Sequence, residues 1–155
     1  MVTVRSYREE DGPALLALFR DTIRRVNARD YSPEQIRAWA SDEIEVAQWT
    51  ARFEGRFAVV AEMETQPVGF AELEPSGHLD RFFVSADQQR RGIGARMLKA
   101  VVAEARRLGI ERLFTEASLT ARPFFEAQGF RTLASQVVIS RGAEFVNYRM
   151  EYRLG

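Results

Sequence analysis

Between Phe57 and Leu108 the spacing of apolar residues changes once, and a glycine-bearing loop marks the change. Phe57-Ala58-Val59-Val60-Ala61-Glu62 and Val68-Gly69-Phe70-Ala71-Glu72-Leu73 read as strands around the turn Thr65-Gln66-Pro67. Pro75-Ser76-Gly77 turns the chain again into His78-Leu79-Asp80-Arg81-Phe82-Phe83-Val84, which predicts an antiparallel meander. From about Gly92 to Leu108 the period becomes helical. Met97, Leu98, Val101, Val102 and Ala105 fall on one face, and Gly109 stops the helix. A meander that runs through a loop into a long amphipathic helix calls for a sheet with that helix packed on it.

The flanking segments extend this layout. Val2-Thr3-Val4 reads as a short strand. Asp11-Gly12-Pro13 opens a helix that buries Leu15, Leu16, Phe19, Ile23 and Val26. Ser32, Pro33 and Gln35 form a capping box for a second helix carrying Ile36, Trp39 and Ala40, and Val46, Trp49 and Phe53 mark a further short one. Downstream come a strand from Ile110 to Thr115 and a short helix from Arg122 to Gln128 ending at Gly129. Two strands follow, Phe130 to Ser140 and Phe145 to Arg153, joined by the turn Arg141-Gly142-Ala143-Glu144. The class is α/β (α+β): a mixed, mostly antiparallel sheet of six to seven strands flanked by about four helices.

Composition narrows the partners. The 155 residues suit one domain, 1–155, and 46% apolar with 28% charged residues suits a folded soluble chain. Lys plus Arg equals Asp plus Glu at 22 each, so net charge gives no reason to expect nucleic acid or a membrane surface. The absence of cysteine removes disulfides, thiolate metal sites and a Cys nucleophile, and no metal is expected. No apolar run reaches membrane-spanning length and the N-terminus lacks a signal-peptide core, so the expected location is cytoplasmic.

The loop Gln88-Gln89-Arg90-Arg91-Gly92-Ile93-Gly94-Ala95 opens the long helix. A dinucleotide fingerprint needs a third glycine where Met97 stands, and a P-loop pattern is absent. Glycine lets a ligand approach the backbone, and the free N–H groups and dipole of a helix start favour an anion. Arg90, Arg91 and Arg96 add positive charge. A glycine-softened helix start with solvated arginines fits these residues equally well.

Two segments together carry a resemblance. Val84, then Gln89-x-x-Gly92-x-Gly94, then an amphipathic helix, resembles the acyl-CoA signature Gln/Arg-x-x-Gly-x-Gly/Ala of the Gcn5-related N-acetyltransferase (GNAT) superfamily. Ala121-Arg122-Pro123-Phe124-Phe125-Glu126-Ala127-Gln128-Gly129-Phe130 resembles that family's A-x-x-F-Y-E-x-x-G-F segment. The resemblance implies that the anion is the pyrophosphate of acetyl-CoA, held by backbone N–H groups from Arg91 through Ala95, with Gln89, Arg90, Gly92, Ile93 and Gly94 in the same loop. It implies a sheet splayed beside Phe82-Phe83-Val84, with the pantetheine arm pairing like an added strand. Ser118 stands where many members carry a cofactor-contacting Asn, and Phe125 where relatives carry a Tyr that protonates the leaving thiolate.

Acyl transfer to an amine needs a way to remove a proton, a donor for the oxyanion and an acid for the thiolate. The Val84 N–H is the family-type oxyanion donor. His78 and Asp80 occupy positions where members carry a catalytic or relaying Glu or His, and strand alternation would put His78, Asp80 and Phe82 on one face. Glu72 and Glu74 are the next candidates. Since Phe125 has no proton to give, Tyr148 on the last strand is the candidate acid, with Ser118 or water as alternatives. The acceptor pocket implied by the family draws on the first helices and last strands, hence Asn27, Tyr31, Trp39 and Asn147. The expected acceptor is a primary amine of a small molecule or peptide, and a homodimer is left open. A second reading, a non-catalytic acyl-CoA sensor of the same fold, draws its support from Phe125.

Overall fold

The computed structural model describes all 155 residues, 1–155. Strand β1 (Val2–Ser6) leads through a short 3-10 turn into α1 (Gly12–Arg25), α2 (Pro33–Trp39) and α3 (Val46–Ala51). The meander is β2 (Phe57–Met63), β3 (Gln66–Leu73) and β4 (Leu79–Val84), followed by α4 (Ile93–Arg107). Then come β5 (Arg112–Ala117), α5 (Arg122–Ala127), β6 (Arg131–Ser140) and β7 (Ala143–Arg153). The short helix marked by Val46, Trp49 and Phe53 forms as α3, giving five helices where about four were expected. The final turn is tighter than the sequence suggests. Ser140 pairs with Ala143, and only Arg141 and Gly142 lie between, both at positive φ (46° and 79°), which matches the twist of a two-residue hairpin.

The strands form two antiparallel sheets, ordered β1-β2-β3-β4 and β5-β7-β6. Where β4 meets β5 the ladder does not close. One parallel bridge joins His78 to Phe114, the Phe114 N–H donates to the Gly77 carbonyl at 3.0 Å, and the buried Thr115 hydroxyl donates to the Leu79 carbonyl at 2.7 Å. Beyond these contacts the two strands separate toward Val84 and Ala117. The splay expected beside Phe82-Phe83-Val84 is therefore present, and it divides the sheet in two.

Two apolar cores lie on opposite faces. α4 packs Met97, Leu98, Val101 and Ala105 against Val59, Ala71, Leu79, Leu113 and Met150. On the other face α1, α2 and α3 bury Leu15, Leu16, Phe19, Ile23, Ile36 and Trp49 against Val60, Phe70 and Phe145. Each strand of the first sheet thus needs apolar residues on both faces, which is why β2 reads as a nearly unbroken apolar run. The capping box at Ser32 forms as expected: its hydroxyl accepts from the Gln35 N–H at 3.1 Å, and the Gln35 amide accepts from the Ser32 N–H at 2.8 Å.

Strand β4 carries an extra residue. Leu73 pairs with Leu79 but Ala71 pairs with Phe82, so three steps on β4 face two on β3. Leu79 and Phe82 therefore share the first core, while Asp80 and Arg81 both turn toward α3. The expected alternation of His78, Asp80 and Phe82 on one face does not hold, because a bulge re-aims the side chains at this point.

Candidate active site

The separation of β4 from β5 opens a cavity of about 1190 Å³. It extends from the α4 N-terminus, through the gap between the strands, to the loop between α1 and α2 and the β6–β7 hairpin. All of the expected cofactor residues except Arg91 line it: Phe82, Phe83, Val84, Gln89, Arg90, Gly92, Ile93, Gly94, Ala95, Ser118 and Phe125. So do the expected acceptor residues Asn27, Tyr31, Trp39 and Asn147, and so does Asp80. His78 and Tyr148 do not.

At one end the cavity is made of backbone. Gly92 caps α4 at φ 77°, a conformation that a side chain would strain. The Arg96 N–H is the first to find an intrahelical acceptor, the Gly92 carbonyl at 3.1 Å. That leaves the N–H groups of Ile93, Gly94 and Ala95 free, with the positive end of the helix dipole behind them. A Cβ at Gly94 would come within 2.9 Å of the Phe124 ring, so glycine is needed there for close packing as well. The Gln89 amide is committed elsewhere. It donates to the Val84 and Ser85 carbonyls at 2.7 and 3.2 Å and ties the loop to the end of β4.

The Ser85 N–H donates to Val68 on β3 at 2.8 Å. Backbone groups alternate sides along a strand, so the Val84 and Phe82 N–H groups face away from β3, toward the gap. An extended chain could pair with this edge, and a helix start with three free N–H groups could take a phosphate. The residues present fit a pantetheine arm and a pyrophosphate on both counts. Ser118 accepts from the Ala121 N–H at 3.0 Å and starts α5, and Phe125, 2% exposed, packs on Phe82, Phe124 and Phe130.

At the other end the walls are side chains from separate elements. Trp39 touches Tyr31, Phe83 and Phe145 with ring centres 5.4 to 6.3 Å apart. The Tyr31 hydroxyl accepts from the Leu119 N–H at 2.9 Å and reaches the Val146 carbonyl at 3.4 Å. Burial raises its pKa, an effect only partly offset by the Leu119 N–H.

Beneath these walls lies an ion network. The wholly buried Glu72 binds Arg81 through Nε and through Nη2, the latter at 2.7 Å. Arg56 links Glu72 at 3.3 Å, Asp80 at 2.6 Å and Glu74 at 3.5 Å, and Arg52 adds a second contact to Asp80 at 3.1 Å. Asp80 thus pairs with Arg56 and Arg52 rather than with Arg81. Burial disfavours its carboxylate, but the Arg56 hydrogen bond and the charges of Arg52 and Arg56 outweigh burial and lower the pKa. His78 stands between two carboxylates, Nε2 2.8 Å from Glu116 and Nδ1 2.7 Å from Glu74, with its ring stacked on Phe114. The Glu116 bond and, after the cost of burial, the Glu74 bond raise its pKa to about 9. At neutral pH it is an imidazolium without a free nitrogen, which does not suit the base expected of it.

Tyr148 also lies elsewhere. It shares its strand face with Met150 and packs on the first core, and Arg122 sits 4.0 Å over its ring. The cavity face of β7 carries Phe145 and Asn147 instead. Among the residues that line the cavity beyond those expected from sequence are Glu116, Arg81 and Trp49. A lone Glu near a strand end and an Arg between Asp80 and Phe82 carry no local pattern to single them out. Trp49 looked like helix core, and it is that too.

Comparison with known proteins agrees with this geometry. Residues 27–152 match the acetyltransferase (GNAT) domain family. A curated relative, the uncharacterized N-acetyltransferase YafP of Escherichia coli, is 35% identical over 98% of this chain and 96% of its own length. A GCN5-related N-acetyltransferase from Rhodopseudomonas palustris superposes with a TM-score of 0.93 at 32% identity, covering 97% of this chain and 94% of that one. The PaiA N-acetyltransferase of Thermoplasma acidophilum, solved with coenzyme A, shares the fold at a TM-score of 0.82 and 18% identity over 99% of both chains.

Proposed function

The chain belongs to the GNAT acetyltransferase family, and from that premise we propose that it moves an acetyl group from acetyl-CoA to a primary amine of a small molecule or peptide, by direct attack within a ternary complex. The observation that carries this reading is the cavity itself, which joins a free strand edge and a bare helix start to an aromatic pocket. The PaiA relative was solved with coenzyme A and YncA of Salmonella typhimurium with acetyl-CoA, which supports the same donor here.

Acetyl-CoA supplies the activated acetyl group. In this proposal the N–H groups of Ile93, Gly94 and Ala95 hold its pyrophosphate, and the Val84 N–H binds the acetyl oxygen as charge develops on it. Asp80 and Glu116 line the cavity as carboxylates and attract the acceptor's ammonium. His78 acts at one remove, as a cation that holds Glu116 in place. With no neutral imidazole near pH 7, the free fraction of the amine itself sets the pH dependence, and kcat/KM rises with pH through the amine's own pKa. Neither Phe125 nor Tyr148 presents a proton to the cavity, so departure of the thiolate relies on Ser118, on water or on the thiol's own low pKa, near 8.5.

Release of free thiol from acetyl-CoA across a panel of amines tests the proposal. Amine-dependent release is expected. If acetyl-CoA binds but no amine releases thiol, the second reading, a non-catalytic acyl-CoA sensor favoured by Phe125, takes its place.

A further inference from the structure

We propose that the outer edge of β6 is a dimer interface, where a second copy of this chain adds its own β6 antiparallel about a two-fold axis near Val137. The proposal goes beyond the acetyl-transfer reading and stands apart from it, because it concerns a surface and not the chemistry of the cavity.

The order β5-β7-β6 leaves one side of β6 without a partner strand, and no backbone hydrogen bond from outside the sheet reaches residues 131–140. Such an edge is an open template for another strand, and folds usually guard it with charge, proline or a cover. The other outer edge, β1, is guarded. It is five residues long, and its Arg5 is tied to Asp11 and Glu62. β6 runs for ten residues, and from Thr132 to Ser140 it carries neither a charge nor a proline.

Exposed apolar surface collects on the same hairpin. Val137 and Val146 stand opposite each other in the β6–β7 ladder, so they share a sheet face with Ile139. The three are 61%, 40% and 72% exposed. α5 reaches this face at Tyr148, where Arg122 lies 4.0 Å over the ring, and leaves the three residues nearer the turn uncovered. Outside this hairpin the exposed large apolar side chains are Met1, Val46 and Leu108, which lie far apart in the chain. A contiguous exposed apolar patch marks an interaction surface, whereas single apolar residues do not.

Symmetry and charge select a second copy as the occupant. A register shift between Thr132 and Ala134 interrupts the ladder, which leaves Ala134–Ser140 as a regular run with Val137 at its middle. A two-fold axis there sets Val137 against Val137, Ser135 against Ile139 and Gln136 against Val138, each pair on one face. No charge meets its own copy. The nearest charged residues, Arg131 and Arg141, are held within their own chain by Glu151 at 2.6 Å and the Ala38 carbonyl at 2.9 Å. Acidic and basic residues are equal in number, so two copies approach without net repulsion. A strongly charged partner would find nothing to pair with along this run. A contact of this isologous kind closes at two copies. β6 also lends Val138 and Ser140 to the cavity wall, so the pairing would restrain the acceptor end.

Sedimentation equilibrium of the full chain over a wide range of concentration tests the proposal. The mass should rise to twice that of the chain, and hydrogen exchange of amides 134–140 should slow as it does. Val137→Lys puts like charges opposite each other at the axis and should weaken association roughly tenfold or more. Leu108→Lys, at an exposed apolar residue beyond the end of α4, should leave association unchanged. Circular dichroism verifies each fold, and Ile139→Lys replaces Val137→Lys if that variant does not fold. A monomer at every concentration overturns the inference and leaves the edge to a different protein. A dimer that the β6 variant does not weaken, or that Leu108→Lys weakens equally, overturns it as well, because the contact then lies elsewhere or is unspecific.

Discussion

The two ends of the cavity are built from different materials. The end at α4 presents peptide groups: the outer edge of β4 and the first turn of a helix, all within residues 82–95. The far end presents side chains from α1, α2, α3, β4, β5 and β7, brought together only by the fold. Backbone recognition tolerates most side-chain changes but not a Cβ in the wrong place, whereas side-chain recognition changes with each substitution. One end is thereby suited to a constant ligand and the other to a variable one.

The largest effect should come from the ion network beneath the far end. Glu72→Ala leaves the buried guanidinium of Arg81 without its partner, and loss of one member of a buried pair costs about 3–5 kcal/mol. Chemical denaturation would measure it, and a loss well under 1 kcal/mol would show the network to be dispensable. Trp39→Ala sharpens the contrast between the ends. It should lower kcat/KM for the amine roughly tenfold, as expected for an aromatic anchor, and leave acetyl-CoA affinity unchanged. A parallel fall in acetyl-CoA affinity would break the division.

His78→Gln tests the clamp by pH. The pKa of His78 is raised in the folded state to about 9, so its stabilisation is complete below its unfolded pKa, near 6.5, and is lost as pH rises through about 9. Thermal unfolding of the wild type should lose stability across that window, and the variant should lose less. Equal slopes would contradict the imidazolium assignment. The smallest effect is expected for Arg90→Ala. Arg90 is exposed, its positive φ of 61° gives the main chain its shape, and surface charge contributes at most about 1 kcal/mol, so acetyl-CoA affinity should fall less than roughly fivefold.

The same division explains what could be read from the chain alone. The helix start, the two glycines and the strand before them are contiguous, so local rules reach them, and the splay followed from the family resemblance they carry. The ion network was opaque. Strand alternation would put Asp80 on one face with His78 and Phe82, but the bulge in β4 sends Asp80 and Arg81 both toward α3, and Arg56, 24 positions away, takes the carboxylate. No one-dimensional pattern reports a bulge, and a shift of one residue changes which face each side chain meets. Tyr148 departs from its expected place for a simpler reason, the ordinary alternation of a strand. It lies one residue from Asn147, which does line the cavity, and neighbours on a strand face opposite ways.

Titration of acetyl-CoA into the wild type and Gly94→Glu, with circular dichroism to verify the fold of both, tests the central claim most directly. Gly94 sits in the first turn of α4 with Phe124 against the place where a Cβ would be, so a glutamate there puts bulk and negative charge among the free N–H groups. The expected result is saturable micromolar-range binding to the wild type and none to the variant. Unchanged binding by a folded Gly94→Glu protein would mean that the helix start and the β4 edge are not where acetyl-CoA binds.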